Sequence, residues 1–263
     1  MSSFKIDSNL VPKSVIFDDV YFSPEDGLAE TRYVFVEGSR LKSRFETARE
    51  MRIAELGFGP GLNFLATVEE FLKISNSDSK LTYMSCELYP LLPAERAAIL
   101  GDRWNQALPQ ARPCLEDLLD GEKFEPNHHK PRWIKNEYQA PGGQCVQLQL
   151  FLGGVDDFLA QMPSQSVDAW YLDGHSPAKN PEMWTPSVFH AIGRRSVADQ
   201  TTVATFSAAG HVRRGLVEAG FQVERRKGFG KKRECLAGVY RPATKPSSKD
   251  SSSLVPRQTR SSS

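Results

Sequence analysis

The stretch ELGFGPGLNFL, residues 55–65, constrains the chain more than any other part of it. Gly57, Gly59 and Gly61 stand at every second position, between an apolar run ending at Leu56 and a helix-spaced run beginning at Leu62. Strand, bare turn, helix is the repeating unit of doubly wound α/β sheets. Glycine lets such a turn bend and lets a ligand reach main chain. The rest of the sequence continues the alternation. Strands are expected over 52–56, 81–86, 146–150, 167–172, 201–206, 221–225 and 235–240. Helices are expected over 62–72, 93–100, 155–162, 183–197 and 211–219, the last stopped by Gly220. This order predicts a mostly parallel, seven-stranded, Rossmann-like sheet with helices on both faces.

Three segments fall outside that plan. Residues 1–45 read as a small N-terminal extension with strand-like pieces at 15–17 and 33–36. Residues 46–242 form the domain, interrupted near 120–143 by a long loop insertion rich in Pro, His and Gly. Residues 243–263, rich in Ser, Pro and Lys, read as a disordered tail. No apolar run is long enough to span a membrane, and the first residues lack an apolar signal core. The four cysteines, Cys86, Cys114, Cys145 and Cys235, have neither zinc-site nor disulfide-framework spacing, so a reducing, cytoplasmic setting is expected. His128 and His129 are adjacent rather than at metal spacing, and no metal is expected. No heptad pattern appears, and a monomer is expected.

The glycine turn limits its ligand. A P-loop needs Lys-Ser/Thr after the glycines, and Leu62-Asn63 stand there, which argues against a nucleoside triphosphate. A dinucleotide turn prefers G-x-G-x-x-G. The G-x-G-x-G spacing suits S-adenosylmethionine, which has no phosphate to seat, although a plain structural turn has the same spacing. Glu87 ends the second strand, where an acidic residue grips ribose hydroxyls in such folds. It supports a nucleoside without choosing between NAD and S-adenosylmethionine, and a solvent-facing charge is the competing reading. Asp173 ends the fourth strand, on the edge where α/β sheets bind ligands, within VDAWYLDGHSPAKNPEMW (167–184). Asp-Gly is also a common turn pair. Trp170, Tyr171 and Trp184 could wall a pocket, but strand aromatics are more often core. His175 reads as a loop or substrate-contact residue.

Five segments occur in a fixed order: YFSPEDGLAETRYVF (21–35), ELGFGPGLNFL (55–65), DAWYLDGHSPAKNPEMW (168–184), ATFSAAGHVRRGLVEAGF (204–221) and RKGFGKKRECLAG (226–238). Over residues 15–241 they resemble the tRNA wobble-uridine 5-aminomethyl(-2-thiouridine) methyltransferase family. That family is the methyltransferase half of the bifunctional 5-methylaminomethyl-2-thiouridine synthesis proteins. The resemblance implies a class I S-adenosylmethionine-dependent methyltransferase fold, S-adenosylmethionine as donor and tRNA as substrate. The implied reaction converts the wobble 5-aminomethyl-(2-thio)uridine to its 5-methylaminomethyl form. In the bifunctional proteins a flavin-dependent oxidoreductase domain follows. The chain stops at residue 263, so a stand-alone member is expected, with a separate oxidoreductase supplying the aminomethyl substrate.

By position, the resemblance puts Gly57, Gly59, Gly61 and Asn63 around the donor, Glu87 on its ribose, and Asp173 beside the donor and the reacting amine. Asp173 would accept a hydrogen bond from the amine and orient its lone pair; a role as base that takes the proton and a role in orientation alone both stay open. Lys179 and Asn180 would meet the substrate. Where the family usually has Gly-Asp after the third strand, this chain reads Gly153-Gly154, which leaves Asp156 and Asp157 as candidates for the adenine end. Pro60 is a second variation.

The net charge of +1 conceals an asymmetry: from residue 191 onward there are 15 Lys/Arg against 5 Asp/Glu. The last third is therefore +10 and the first 190 residues −9. RRKGFGKKR (225–233) places six basic residues around Gly-Phe-Gly. Phe229 is suited to stack on a base, and Lys231, Lys232 and Arg233 to hold phosphates, with Arg213 and Arg214 adding to the same face. A solvated basic turn is the competing reading. Three alternatives stay open: a methyltransferase of this fold acting on a small-molecule or protein amine, an NAD-dependent oxidoreductase, and a non-catalytic nucleotide-binding relative.

Overall fold

The computed structural model describes residues 4–6, 11–119 and 130–243. The segment before the main sheet holds β1 (Phe4–Ile6), β2 (Pro12–Ser14), α1 (Gly27–Thr31), a π-helical stretch (Arg32–Glu37) and α2 (Leu41–Phe45). Next come β3 (Glu50–Leu56), α3 (Leu62–Ile74), β4 (Lys80–Glu87), α4 (Pro93–Leu100) and α5 (Ala111–Leu119). They are followed by β5 (Arg132–Gln139), β6 (Cys145–Leu152), α6 (Val155–Gln161) and β7 (Ala169–Leu172). A 3-10 turn (Pro181–Trp184), α7 (Pro186–Arg195), β8 (Thr202–Thr205), α8 (Gly210–Glu218), β9 (Phe221–Lys227) and β10 (Glu234–Tyr240) complete it.

The main sheet runs β5-β6-β4-β3-β7-β8-β10-β9. Its five central strands, β6 to β8, are parallel, while β5, β10 and their partners pair antiparallel at the edges. The two-residue period of the strands separates two cores. Ile53, Tyr83, Leu148 and Tyr171 enter one with α2, α3 and α5. Ala54, Leu56, Met84, Trp170 and Leu172 enter the other with α6, α7 and α8. Both faces are covered, as a central parallel strand requires. Trp170 and Tyr171 are fully buried core residues.

Four expectations need correction. The sheet has eight strands, not seven, because Arg132–Gln139, inside the expected loop insertion, pairs along its whole length with β6. Residues 33–36 are helical rather than a strand. Asp26 caps α1 by accepting from the Ala29 amide, and the helix runs on until Val34, Phe35 and Val36 are buried. A run of buried apolar residues has no visible period, so strand and buried helix read alike. Residues 15–17 form a turn, and the strand is Pro12–Ser14 instead. The helix expected over 183–197 begins only at Pro186, with Thr185 as its N-cap. The N-terminal part is thus built into the domain. The expected tail, apart from residue 243, and His128 and His129 lie outside the described residues. Among the described residues no helix is long and apolar enough to cross a membrane.

Helices α7 and α8 meet where Gly215 faces Phe189: a Cβ at Gly215 would lie 2.2 Å from that ring. Gly215→Val should therefore cost about 1–3 kcal/mol through overpacking. Urea unfolding followed by far-UV circular dichroism measures it.

Candidate active site

Strand order reverses between β3 and β7, since β4 and β6 lie on one side of β3 and β8 lies beyond β7. Such a reversal opens a crevice beyond the carboxyl ends of the strands. The glycine turn lies there, with Gly57, Gly59 and Gly61 at φ +92°, +51° and +87°. These left-handed values disfavour any side chain. A Cβ on Gly57 would lie 2.9 Å from the Asp173 carbonyl oxygen, so the turn also packs directly on the end of β7. The Asp173 amide donates to the Leu56 carbonyl at 3.2 Å, which links the two strand ends.

A cavity of about 450 Å³ occupies the crevice. The glycine turn, Asn63, Glu87, Gly154 and Asp173 line one part of it, and Phe17, Asp19, Tyr21 and Glu30 reach it from the N-terminal segment. The size lies within the usual range for small-ligand sites.

At its floor, Asn63 joins two carboxyl groups. Its Nδ2 donates to Glu55 Oε1 at 2.8 Å and to Asp173 Oδ2 at 2.6 Å, and its Oδ1 accepts from Thr31 Oγ1 at 2.9 Å. Ser85 Oγ donates to Glu55 Oε2 at 2.8 Å. Burial raises the Glu55 carboxyl well above its ordinary range, and the charge of Asp173 adds to the effect. Burial also pushes Asp173 up to about 8, against the opposing hydrogen bond from Asn63; Glu30 raises it further and Lys232 lowers it. Burial thus disfavours the ionised form of both carboxyl groups.

Glu87 is anchored at both oxygens. Oε2 accepts from the Gly59 amide at 2.9 Å and Oε1 from the Tyr89 amide at 2.8 Å. Its carboxylate therefore has a fixed position at the end of β4 while retaining free lone pairs. Above it, Asp19 Oδ2 accepts from the Ser176 amide at 2.8 Å and lies 3.7 Å from His175 Nδ1. Burial opposes ionisation of Asp19, yet the His175 ring and the Ser176 amide together hold its carboxyl below the usual range. The His175 ring packs against Phe17 (4.6 Å between centroids) and Tyr21 (5.6 Å). Trp184 Nε1 donates to the His175 carbonyl, which fixes this loop from behind.

The structure gathers Gly57, Gly59, Asn63, Glu87, Asp173, Lys179, Asn180 and Lys232 around one cavity, whereas Gly61 lies outside the lining, where a Cβ would meet Phe58 and Leu115. Lys179 also pairs with Asp18 at 3.2 Å. Asp156 and Asp157 do not line it: they are exposed in the first turn of α6. Gly154 does line it, and a Cβ there would meet nothing within 4 Å. Arg213, Arg214, Phe229, Lys231 and Arg233 also lie outside the lining. Phe229 is half-buried, with its ring 6.4 Å from that of Tyr33. Sequence reasoning missed Asp19, Tyr21, Glu30 and Glu55. Glu55 had a local signal, an acid two residues before the first glycine; the others had none.

The match to known proteins agrees with this geometry. The family described as S-adenosyl-L-methionine-dependent methyltransferase matches residues 124–241. The tRNA 5-methylaminomethyl-2-thiouridine biosynthesis bifunctional protein of Pseudomonas paraeruginosa is 40% identical over 237 residues, 89% of this chain and 34% of that protein. The protein of the same name from Nitrosospira multiformis is 43% identical over 229 residues, 86% of this chain and 34% of its own length. Similarity to the bifunctional proteins thus runs along nearly the whole of this chain. The chain spans about a third of the curated relatives it matches. The crystal structure of MNMC2 from Aquifex aeolicus superposes with a TM-score of 0.66 at 19% identity, covering 92% of this chain and 71% of that one, and shares the fold.

The residues present fit S-adenosylmethionine. Gly57 and Gly59 leave main chain bare along one wall, and a fixed carboxylate stands at the end of β4. Asp173 also sets a stability prediction. Its folded pKa, about 8, exceeds the unfolded value near ~3.9, so ionisation penalises the fold. The penalty is absent below the unfolded value, grows as pH rises, and is complete above about 8. Asp173→Asn should therefore melt higher than wild type, by a margin that widens between pH 5 and pH 9. Thermal melts across that range test the sign; a constant margin would remove the buried-acid account.

Proposed function

We propose that the protein is an S-adenosylmethionine-dependent tRNA methyltransferase that converts 5-aminomethyl-(2-thio)uridine at the wobble position to 5-methylaminomethyl-(2-thio)uridine. The observation that carries the reading is the junction of the bare glycine turn with Asp173 in one cavity, in a chain 40% identical to part of a curated tRNA 5-methylaminomethyl-2-thiouridine biosynthesis protein. In this reading Gly57 and Gly59 hold the methionine portion of the donor, Gly61 shapes the turn that presents them, and Glu87 holds the ribose hydroxyls. Gly154 leaves room at the end of β6, where the family usually has a carboxylate. A separate flavin-dependent oxidoreductase supplies the aminomethyl group. The protein works as a monomer in the cytoplasm.

When bound, the donor supplies a methyl group on a sulfonium: the amine nitrogen forms the new N–C bond as the S–C bond breaks with its electron pair moving to sulfur. The nitrogen must first lose a proton, because an ammonium has no lone pair. Alkyl amines titrate near ~10, so at pH 7 the charged form dominates. Asp173, with a pKa of about 8, is far closer to that amine than an ordinary aspartate, and its ionised form accepts the proton. Asn63 holds the carboxyl at 2.6 Å and leaves its other oxygen for the amine.

Incubation with methyl-labelled S-adenosylmethionine and tRNA arrested at the aminomethyl stage tests the reaction. Label should appear in 5-methylaminomethyl-(2-thio)uridine after digestion. Donor binding without label would overturn the substrate assignment. The pH dependence of kcat/KM should contain an ionisation near pH 8 below that of the amine. Asp173→Asn should lose that limb and on the order of 10²-fold or more in rate. Charge reversal at Lys231 and Arg233 should weaken tRNA while leaving donor affinity intact.

A further inference from the structure

Glu30, on α1, is 6% exposed, yet it lines the cavity. Its Oε2 accepts from the Ser23 amide at 3.1 Å, and its Oε1 accepts from Lys232 Nζ at 2.7 Å. The same ammonium stands 4.6 Å from the centroid of the Phe206 ring. The pair is unequal. The carboxylate is built into the wall, whereas its cation arrives on a long side chain, 44% exposed, from the loop joining β9 and β10. A carboxylate this buried is stabilised by a cation beside it. Nothing in its surroundings requires that cation to be Lys232.

The tip of a lysine is a primary ammonium on a methylene. A protonated aminomethyl group is the same chemical group. One carboxylate and one aromatic face around an alkylammonium make a recognition site for that group, with charge-assisted hydrogen bonding on one side and cation–π attraction on the other. We propose that Glu30 and Phe206 form the subsite that receives the substrate's aminomethyl ammonium, and that Lys232 occupies this subsite as an internal stand-in until substrate enters. The inference rests on the function proposed above and names the residues that select the amine.

The exchange keeps Glu30 paired, since one alkylammonium replaces another. It also gives Lys232 a second partner. The loop carries Lys231 and Arg233, both exposed, on either side of it. Gly228 and Gly230 flank Phe229, and Gly230 has φ +55°. A polyanion bound by this loop draws Lys232 outward as the substrate amine enters, so loading of RNA and of its reactive group are coupled. Glu30 holds the nitrogen, while Asp173 accepts the proton.

The test uses the purified chain with S-adenosylhomocysteine present, so that no turnover occurs. Binding of two anticodon stem-loop RNAs, with 5-aminomethyluridine or uridine at the wobble position, is measured by fluorescence anisotropy. Wild type should prefer the aminomethyl RNA, and Glu30→Gln should lower that preference by about tenfold or more. Lys232→Met, which removes the internal competitor, should weaken both RNAs yet increase the preference. Opposite effects from the two halves of one ion pair are not produced by a merely structural bridge. Retained preference in Glu30→Gln, or a fall in Lys232→Met matching that of Glu30→Gln, overturns the proposal. Unchanged S-adenosylhomocysteine affinity certifies folding, and Glu30→Asp, expected to keep part of the preference, replaces Glu30→Gln should that variant fail to fold. If wild type methylates aminomethyl tRNA but the variants keep its preference, only the subsite is lost. If wild type neither discriminates nor methylates, the proposed function falls and the subsite with it.

Discussion

The Asn63 side chain ties the site together. Its amide spans from Glu55 on β3 to Asp173 at the end of β7, across the point where the sheet changes direction. Two acids at such a junction would repel if both were charged. Burial suppresses their ionisation, and the two N–H groups of one amide hold them at a fixed separation. Buried acids without such partners would cost the fold several kcal/mol. The glycine turn puts Asn63 in reach: only left-handed residues allow β3 to bend into α3 within five positions, so that the second residue of the helix points back at the strand ends.

Helix α1 extends this network to the rim. Thr31 donates to Asn63, and the preceding residue, Glu30, accepts from Lys232. Neighbouring residues on one short helix thus touch the floor of the cavity and the basic loop. Tyr33, just beyond, donates its hydroxyl to the Lys227 carbonyl and carries Arg226 over its ring at 4.6 Å. The segment that looks like an appendage in the sequence is the mechanical link between the site and the loop.

Much of this was legible because it is local. Three alternate glycines, an acid at the end of β4 and an acid at the end of β7 each mark a strand end, and strand ends converge in a doubly wound sheet. What escaped was long-range or lacked a pattern. Only Ile134 of β5 is fully buried, so an edge strand in a Pro- and Gly-bordered region shows too little alternation to be seen. Asp156 and Asp157 follow Gly154 in sequence, but the first turn of α6 leaves both in solvent. Glu30 and Lys232 are 202 residues apart, and no local pattern announces that they meet.

The charge asymmetry acquires a physical meaning from these positions. The acidic part of the chain supplies Asp19, Glu30, Glu87 and Asp173 to the cavity, and the basic last third supplies the loop at its edge. An acidic interior favours ligands with a positive centre, such as a sulfonium or an alkylammonium. A basic rim favours a polyanion. Mixed together on one surface, the two sets of charges would cancel. Separated by depth, they select a ligand that is anionic along its length and cationic at the tip that enters. Lys232 is the one basic residue of the loop segment that crosses between the layers, and its pairing with Glu30 keeps the cavity neutralised while no such ligand is present.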